Sequence, residues 1–253
     1  MKSKNVYVYL ILIAILKVGV VFSEENVVRE YLKAWDYIEE GNSEEALSLV
    51  KKYHMKNGQY RGSWVVLLSV IQLKDNQYEK ALYNIKIIRT KLTEKYYRVK
   101  ESDTLLTDDE VKMTNFFYET LLKTSSLANF KLKNWTDALS DYLELSKEFK
   151  LSKYSTIAIC YYNINQYSES LKYFKIAYKL EKKNECKDEL AYNIGALYAI
   201  LGDVEASISW LKNPLDHNKL WVKDIKEDKD FNKIRNNIKF KDFMENRMLD
   251  VHK

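Results

Sequence analysis

The apolar positions between residues 151 and 184 form two helical patterns that are separated by a short polar segment at 163–166. Residues three or four positions apart lie on one face of an α-helix, so each pattern predicts a helix with a single apolar face. The residues that define the two faces are Ile157, Ala158 and Tyr161, followed by Leu171, Phe174, Ala177 and Tyr178. The segment therefore predicts two antiparallel helices joined by a tight turn.

This helix-turn-helix pattern resembles the tetratricopeptide (TPR) repeat. With the first position of the repeat at Leu151, the signature positions of the family fall on Ala158, Tyr161, Tyr167, Ser170, Phe174 and Ala177. Ser170 stands where the family usually has alanine, and Lys182 stands where it usually has proline. The resemblance implies an all-α fold, a right-handed TPR helix-turn-helix solenoid of about five repeats with a C-terminal capping helix segment.

Four further segments carry a similar pattern: residues 25–53, a segment that starts at Gly62, a segment around Phe130, and residues 189–211. A helix often ends in a residue that tolerates positive φ. The turns of these segments are accordingly expected at Gly41, at Asp75 with Asn76, at Lys133 with Asn134, and at Gly202 with Asp203. The packing positions on the second helices are expected at Ala46, Ala81, Ala138, Ser170 and Ser207.

The pattern divides the chain into five parts. They are a leader over 1–23, repeats 1 and 2 over 24–100, an insertion and the start of an extended helix over 101–118, repeats 3 to 5 over 119–215, and a C-terminal capping segment over 216–253. Residues 107–110 have the sequence of a capping box that opens the extended helix. Pro214 is expected to end the last repeat, because proline cannot continue a helix.

The C-terminal capping segment resembles the end-of-group segment that closes some bacterial TPR proteins, so the resemblance implies a bacterial source. The terminal repeat of an array has one uncovered apolar face. The side chains expected to cover that face are Trp221, Phe231, Ile234, Phe240 and Phe243.

Residues 1–23 have the features of a secretory signal. Lys2 and Lys4 precede an apolar run of eleven residues, and Ser23 offers a small residue before the acidic Glu24. Eleven residues are too few to cross about 30 Å of hydrocarbon as a helix. Cleavage after Ser23 and export to the periplasm or cell envelope are therefore expected, with a retained membrane anchor as the alternative.

Composition favours helices and gives no support for nucleic-acid binding. With one proline and six glycines, the chain has few of the turn-forming residues that hairpins and nucleotide-binding loops need. The formal charge is +5, but without the three lysines of the leader 38 Lys and Arg stand against 36 Asp and Glu, which gives +2. Binding to phosphate backbones requires a basic stripe, which this mixture of charges does not provide.

No motif indicates catalysis, a cofactor or a metal. HExxH, CxxC and a glycine-rich phosphate loop are all missing from the sequence, and its three histidines have no acidic partner at helical spacing. Residues 228–232 begin like a calcium loop, but Lys233 and Lys239 replace the required Gly and Glu, so Asp228 or Asp230 is expected to cap a helix. Cys160 and Cys186 are expected to be unpaired structural thiols. The protein is predicted not to be an enzyme.

The TPR resemblance implies a protein or peptide partner on the concave face, which the first helix of each repeat lines. The residues predicted to bind it are Trp35, Lys74, Lys123, Phe130, Tyr162, Asn163 and Tyr192. The same mapping places Tyr31, Glu39, Val66, Lys131, Ser155 and Ala196 on that face. Chaperone C-termini are not expected as ligands, because Tyr31 and Trp35 occupy positions where the carboxylate-clamp members of the family have Lys and Asn.

We therefore expect a non-catalytic TPR interaction scaffold in the bacterial periplasm or cell envelope. The alternative is a membrane-anchored structural subunit of an envelope complex, in which residues 1–23 are retained. Contact with a membrane is expected only in that second case.

Overall fold

The computed structural model describes residues 25–54, 62–101, 108–217 and 221–249. Every regular element among these residues is helical, which confirms the all-α prediction. The predicted leader and Thr107 of the predicted capping box lie outside the described residues. The chain divides into two compact units, one that ends at Leu151 and one that begins at Ser152.

The first unit contains six helices among its described residues, and consecutive helices pack against one another. They are α1 (Glu25–Glu40), α2 (Ser43–His54), α3 (Gly62–Lys74), α4 (Tyr78–Glu101), α5 (Asp108–Lys131) and α6 (Trp135–Phe149). In sequence order they form three helix pairs: α1 with α2, α3 with α4, and α5 with α6.

The second unit contains two further helix pairs followed by the C-terminal capping segment. The pairs are α7 (Tyr154–Asn163) with α8 (Tyr167–Leu180), and α9 (Asn184–Leu201) with α10 (Val204–His217). The capping segment consists of α11 (Trp221–Glu227), a 3-10 helix (Lys229–Phe231) and α12 (Ile238–Leu249).

All five pairs turn in the same way. One residue of each turn has a positive φ: Gly41 at 86°, Asn76 at 59°, Lys133 at 61°, Asn165 at 61° and Gly202 at 86°. The N–H of the next residue donates to the carbonyl five positions back, at 2.7–2.9 Å, as in a Schellman motif. Glycine is therefore not required at this position, and Asn or Lys occupies it in three of the five turns.

The residue at the predicted packing position is small and buried in every helix pair. Ala46, Ala81, Ala138, Ser170 and Ser207 are each fully buried. Each donates its backbone N–H to the carbonyl of the residue that follows the positive-φ residue. The equivalence of these five sites shows that the spacing in the sequence is a structural repeat.

The described residues of the predicted insertion, Glu101 and 108–118, lie in two long helices. α4 and α5 have 24 residues each and pack against each other. Tyr96 of α4 stacks on Tyr118 of α5 with ring centroids 4.2 Å apart. Tyr96 also donates a hydrogen bond to Glu148 of α6 at 2.9 Å. The additional helical turns are thus tied to the third pair.

Pro214 does not end the last pair, and that prediction is wrong. α10 continues through Pro214 to His217. Proline removes one helical hydrogen bond, but Pro214 is buried and Leu215 is only 1% exposed in an apolar cluster with the capping segment. Burial of this last turn compensates for the missing bond.

The capping segment packs on α9 and α10. Phe231, Ile234, Phe240 and Met244 form one apolar cluster with Ala196, Ala199, Leu211 and Leu215. This cluster fixes the position of the 3-10 helix beside α9. Among the described residues, no helix combines the length and apolar character needed to span a membrane.

Candidate partner-binding groove

Two adjoining cavities on the second unit form what we call the α7–α9 groove. The larger cavity, about 430 Å³, is lined by Ser152, Tyr154, Ser155, Ile159, Phe174, Ala177, Leu180, Glu181, Cys186, Glu189, Leu190 and Asn193. The smaller cavity, about 330 Å³, is lined by Ile159, Tyr162, Phe174, Asn193, Ala196, Leu197, Asp228 and Asp230. Ile159, Phe174 and Asn193 line both cavities, so the two cavities are direct neighbours.

Helical spacing accounts for the two walls of the groove. Ser155, Ile159 and Tyr162 follow one another at intervals of four and three residues on α7, which places them on one face. Cys186, Glu189, Asn193 and Ala196 have the same kind of spacing on α9. The groove therefore lies between the first helices of two consecutive helix pairs, which is where sequence analysis predicted the partner to bind.

The capping segment supplies two carboxylates at one end of the groove. Asp228 is the N-cap of the 3-10 helix, and its Oδ1 accepts from the backbone N–H of Asp230 at 2.9 Å. The predicted N-cap role of Asp228 is therefore confirmed. The Tyr162 hydroxyl lies 2.7 Å from Oδ1 and 2.8 Å from Oδ2 of Asp230, and it donates to this carboxylate. The Tyr192 hydroxyl donates to Oδ2 of Asp228 at 2.9 Å.

Burial and like charge determine the electrostatics of this end. Burial raises the pKa of Asp230, the hydrogen bond from Tyr162 opposes that shift, and the charge of Asp228 adds to it. Burial, followed by the hydrogen bond to the nearby aspartate, raises the pKa of both Tyr162 and Tyr192 above the usual tyrosine range. Both hydroxyls are therefore protonated donors at neutral pH.

The groove is lined by four acids: Glu181, Glu189, Asp228 and Asp230. No Lys or Arg side chain from the described part of the chain lines either cavity. Arg235 approaches, but its guanidinium donates to the main-chain oxygen of Asp228 rather than to the carboxylate. The lining consequently carries a negative formal charge.

The three predicted binding residues of the second unit have different surroundings. Tyr162 lines the groove. Tyr192 lies behind it, edge-to-face with Trp221 at 5.4 Å and with Phe231 at 5.8 Å, and holds Asp228. Asn163 is exposed, and its Nδ2 donates to the carbonyl of Ile159 on its own helix at 2.8 Å. The structure brings Tyr162 and Tyr192 together through the two aspartates.

The four predicted binding residues of the first unit contact their own unit. The Trp35 ring packs edge-to-face on Phe116 at 5.7 Å. Phe130 is half-buried and lies edge-to-face with Trp135 at 5.3 Å. Lys74 is exposed and donates to the main-chain oxygen of Ile38, and the exposed Lys123 pairs with Glu119 at 2.6 Å. Their role in partner binding remains a prediction.

Tyr31 and Val66 were also predicted to lie on the concave face, but both are core residues, so that prediction is wrong for them. Tyr31 is 4% exposed and packs edge-to-face on Trp64 at 4.9 Å. Val66 is 2% exposed. Both side chains are covered by neighbouring helices, so a partner cannot reach them. Ala196 is also buried, at 4% exposure, although it lines the smaller cavity.

The acidic residues of the groove were not predicted from the sequence. Asp228 and Asp230 were interpreted only as possible helix caps, and Glu181, Glu189 and Asn193 were not considered. Glu189 and Asn193 could have been found from the register of α9, whereas Glu181 follows the end of α8. The two aspartates lie outside the repeats, so repeat spacing gives no indication that they face α7.

Among the described residues, the two cysteines and His217 do not form a reactive group. Cys160 and Cys186 are both free thiols, and burial raises the pKa of Cys160 to about 11. Nδ1 of His217 lies 2.7 Å from Oδ2 of Asp188. Across the described residues, no three or more His, Cys, Asp or Glu side chains are grouped to bind a metal ion.

No family model matches this chain, and no curated protein matches it. Among solved structures, MamA of AMB-1 in a P212121 crystal matches with a TM-score of 0.55 at 13% sequence identity. The match covers 76% of this chain and 93% of the MamA chain, which is all-helical and TPR-like. The fold of this protein is TPR-like. At this level of identity the likeness concerns the fold alone, and it agrees with the five equivalent turns and buried packing positions of the TPR-like helix pairs.

Proposed function

We propose that this protein is a non-catalytic interaction scaffold that binds a peptide or protein segment in the α7–α9 groove. The observation that carries the proposal is the pair of adjoining cavities between two first helices. Its floor includes Phe174, and its rim carries the polar side chains of Ser155 and Asn193. Apolar floors with a few polar groups are typical of sites that bind extended ligands.

Tyr162 is the central residue of the proposed site. Its ring lines the smaller cavity, while its hydroxyl is fixed by Asp230. A tyrosine with a fixed ring supplies contact area at little cost in conformational entropy, which is why tyrosine is enriched among the residues that dominate interfaces. We propose Tyr192 as a positioning residue, since it acts through Asp228.

Trp35, Lys74, Lys123 and Phe130 are proposed as a second contact surface on the first unit. The support is their position on the first helices, together with the exposure of the two lysines. The TPR resemblance of the sequence implies such a surface on the concave side of the array.

We further propose that the protein is exported to a bacterial periplasm or cell envelope. The support is the short apolar run behind Lys2 and Lys4 and the resemblance of the capping segment to the end-of-group segment. The alternative function, a membrane-anchored structural subunit, requires that residues 1–23 are retained.

A substitution that fills the groove tests the proposed binding site. Ser155 is exposed and lines the larger cavity, so Ser155→Trp should occupy the groove without disturbing the core. Ser209→Trp is the matched control, because Ser209 is exposed on α10 and lines neither cavity. Peptides selected from a displayed random library on the wild-type protein should bind Ser209→Trp normally and lose binding to Ser155→Trp. Equal binding to both variants would show that the groove is not the site.

A further inference from the structure

We propose that the segment bound in the α7–α9 groove is basic, with a lysine or arginine side chain seated in the smaller cavity against Asp228 and Asp230. This inference rests on the proposed function, because it identifies the chemistry of the partner for the same groove. It follows from charge complementarity between the lining of the groove and its occupant.

The two carboxylates are held in place by neutral donors. Asp230 receives the hydroxyl of Tyr162, and Asp228 receives the hydroxyl of Tyr192 and one backbone N–H. A carboxylate has about four acceptor sites on its two oxygens. The donors around Asp228 and Asp230 therefore orient both groups and leave acceptor capacity for a ligand.

The carboxylates have no basic partner in the described part of the second unit. Neither aspartate takes part in an ion pair there, and the guanidinium of Arg235 contacts the main-chain oxygen of Asp228. Asp228 and Asp230 also repel each other, which contributes to the raised pKa of Asp230. A cation in the cavity would relieve this repulsion and gain charge-assisted hydrogen bonds.

The rest of the groove favours the same class of ligand. Glu189 and Glu181 line the larger cavity, beyond the shared residues Ile159, Phe174 and Asn193. An extended peptide rises about 3.3 Å per residue and alternates its side chains. A segment that places one basic residue at the aspartates can therefore direct a second basic residue, four positions further on, toward the glutamates, with an apolar residue midway between them over Phe174.

Capped peptides that share a Leu-Gly-Ser frame, with leucine midway between two variable positions four residues apart, test the proposal. Both variable positions hold arginine, lysine, citrulline or glutamate. Citrulline has nearly the shape of arginine without its charge. Binding to the full chain is measured by fluorescence anisotropy at low and at physiological salt. The arginine or lysine peptide should bind, and the citrulline and glutamate peptides should bind about thirtyfold more weakly or not at all.

The matching variants keep the fold and remove the charge. Asp228→Asn with Asp230→Asn preserves shape, and asparagine is a good N-cap. Asp203→Asn with Asp242→Asn is the control, since it removes the same formal charge from exposed sites outside the groove. The first pair should lose about thirtyfold in affinity for the basic peptide, whereas the control pair should bind like the wild type.

The outcomes of these experiments distinguish a failure of this inference from a failure of the proposed function. If citrulline peptides bind as tightly as basic ones, or if Asp228→Asn with Asp230→Asn has no effect, the basic ligand is wrong. The groove itself would still stand if Ser155→Trp blocks that binding. If Ser155→Trp leaves peptide binding unchanged, both proposals fail. Calcium or magnesium binding that disappears in Asp228→Asn with Asp230→Asn would make the aspartates a metal site and would also overturn the inference.

Discussion

Ser170 donates its hydroxyl hydrogen to the carbonyl oxygen of Ala158 at 2.8 Å, and this bond joins α8 to α7. Serine occupies the same packing position in the next pair, where the buried Ser207 Oγ has no hydrogen-bond partner among the described residues. The two serines thus occupy equivalent backbone sites with opposite hydrogen-bonding outcomes. An unpaired buried hydroxyl costs free energy that a paired one largely recovers.

We predict opposite effects of alanine at these two sites. Ser207→Ala should raise the free energy of unfolding by about 1 kcal/mol, since it removes an unsatisfied polar atom. Ser170→Ala should lower the free energy of unfolding by a similar amount, about 0.5–1.5 kcal/mol, because it breaks the bond to Ala158. Urea denaturation of the two variants measures both values. Changes of the same sign in both variants would contradict the hydrogen bonding described for this position.

Gly195 is a packing glycine, and alanine should be unfavourable there. A Cβ on Gly195 would lie 2.9 Å from Cγ and 3.0 Å from Cδ2 of Leu211. Alanine in place of glycine inside a helix normally stabilises by about 1 kcal/mol. We predict that Gly195→Ala instead destabilises by about 1–3 kcal/mol, because it overpacks the contact between α9 and α10.

A double-mutant cycle checks the cause of that effect. Leu211→Ala removes the atoms that the new methyl group would meet. The cost of Gly195→Ala should therefore vanish in the Leu211→Ala background. A cost that persists in that background would assign the effect to something other than Leu211.

Local spacing predicted the repeated part of the fold correctly. The five turns and the five buried small residues follow from patterns within about thirty residues, and the backbone bonds around Gly41 and Asn165 are alike although the residue types differ. The prediction failed at Pro214, where contacts with the capping segment outweigh the local preference of proline.

The groove was only half predictable from the sequence. Helix register identified Tyr162 and Ser155, which lie on the wall formed by α7. Helix register also placed Tyr31 on the concave face, because register identifies the face of a helix but not whether a neighbouring helix covers it. The Tyr31 ring instead packs on Trp64. Asp230 was not found, since it comes from a non-repeating segment 68 residues away from Tyr162.

Glu148 predicts how stability depends on pH in the first unit. Its side chain is 2% exposed, and a hydrogen bond from Lys100 holds its pKa below the usual range. A carboxyl whose pKa is lowered by folding stabilises the fold above its unfolded pKa of about 4.5. That stability is lost as the pH falls through the lower folded pKa.

We therefore expect Glu148→Gln to destabilise most at neutral pH. The difference in free energy of unfolding between wild type and Glu148→Gln should shrink below about pH 4.5, where the charge of Glu148 disappears. Denaturation curves across this range measure it. Glu94→Gln, at an exposed position of α4, is the control and should show little effect. A difference that does not vary with pH would contradict the charged contact with Lys100.

Export can be tested by the mass of the protein recovered from cells. We predict cleavage after Ser23, because a basic start and a short apolar run precede it. Intact-mass spectrometry of the envelope fraction should show a chain that begins at Glu24. Replacing Ser23 with a bulky residue such as tryptophan should slow processing. An N-terminus that still includes Lys2 would instead support the anchored alternative.

Asp230 has the opposite pH dependence to Glu148, because burial raises its pKa rather than lowering it. An acid whose pKa is raised by folding favours the fold when it is protonated, so its ionisation destabilises the fold as the pH rises through the folded pKa. Tyr162 limits this cost by donating to the ionised carboxylate. We predict that Tyr162→Phe raises the pKa of Asp230 further and destabilises the protein more at pH 7 than at pH 4.

Asp230→Asn should remove this pH dependence from the Tyr162→Phe variant, since no carboxylate remains to ionise. Tyr167→Phe is the control, because its hydroxyl donates to Asn165 at 2.7 Å rather than to an acid. A loss of stability in Tyr162→Phe that is the same at both pH values, with or without Asp230→Asn, would show that the hydroxyl does not support the charge of Asp230.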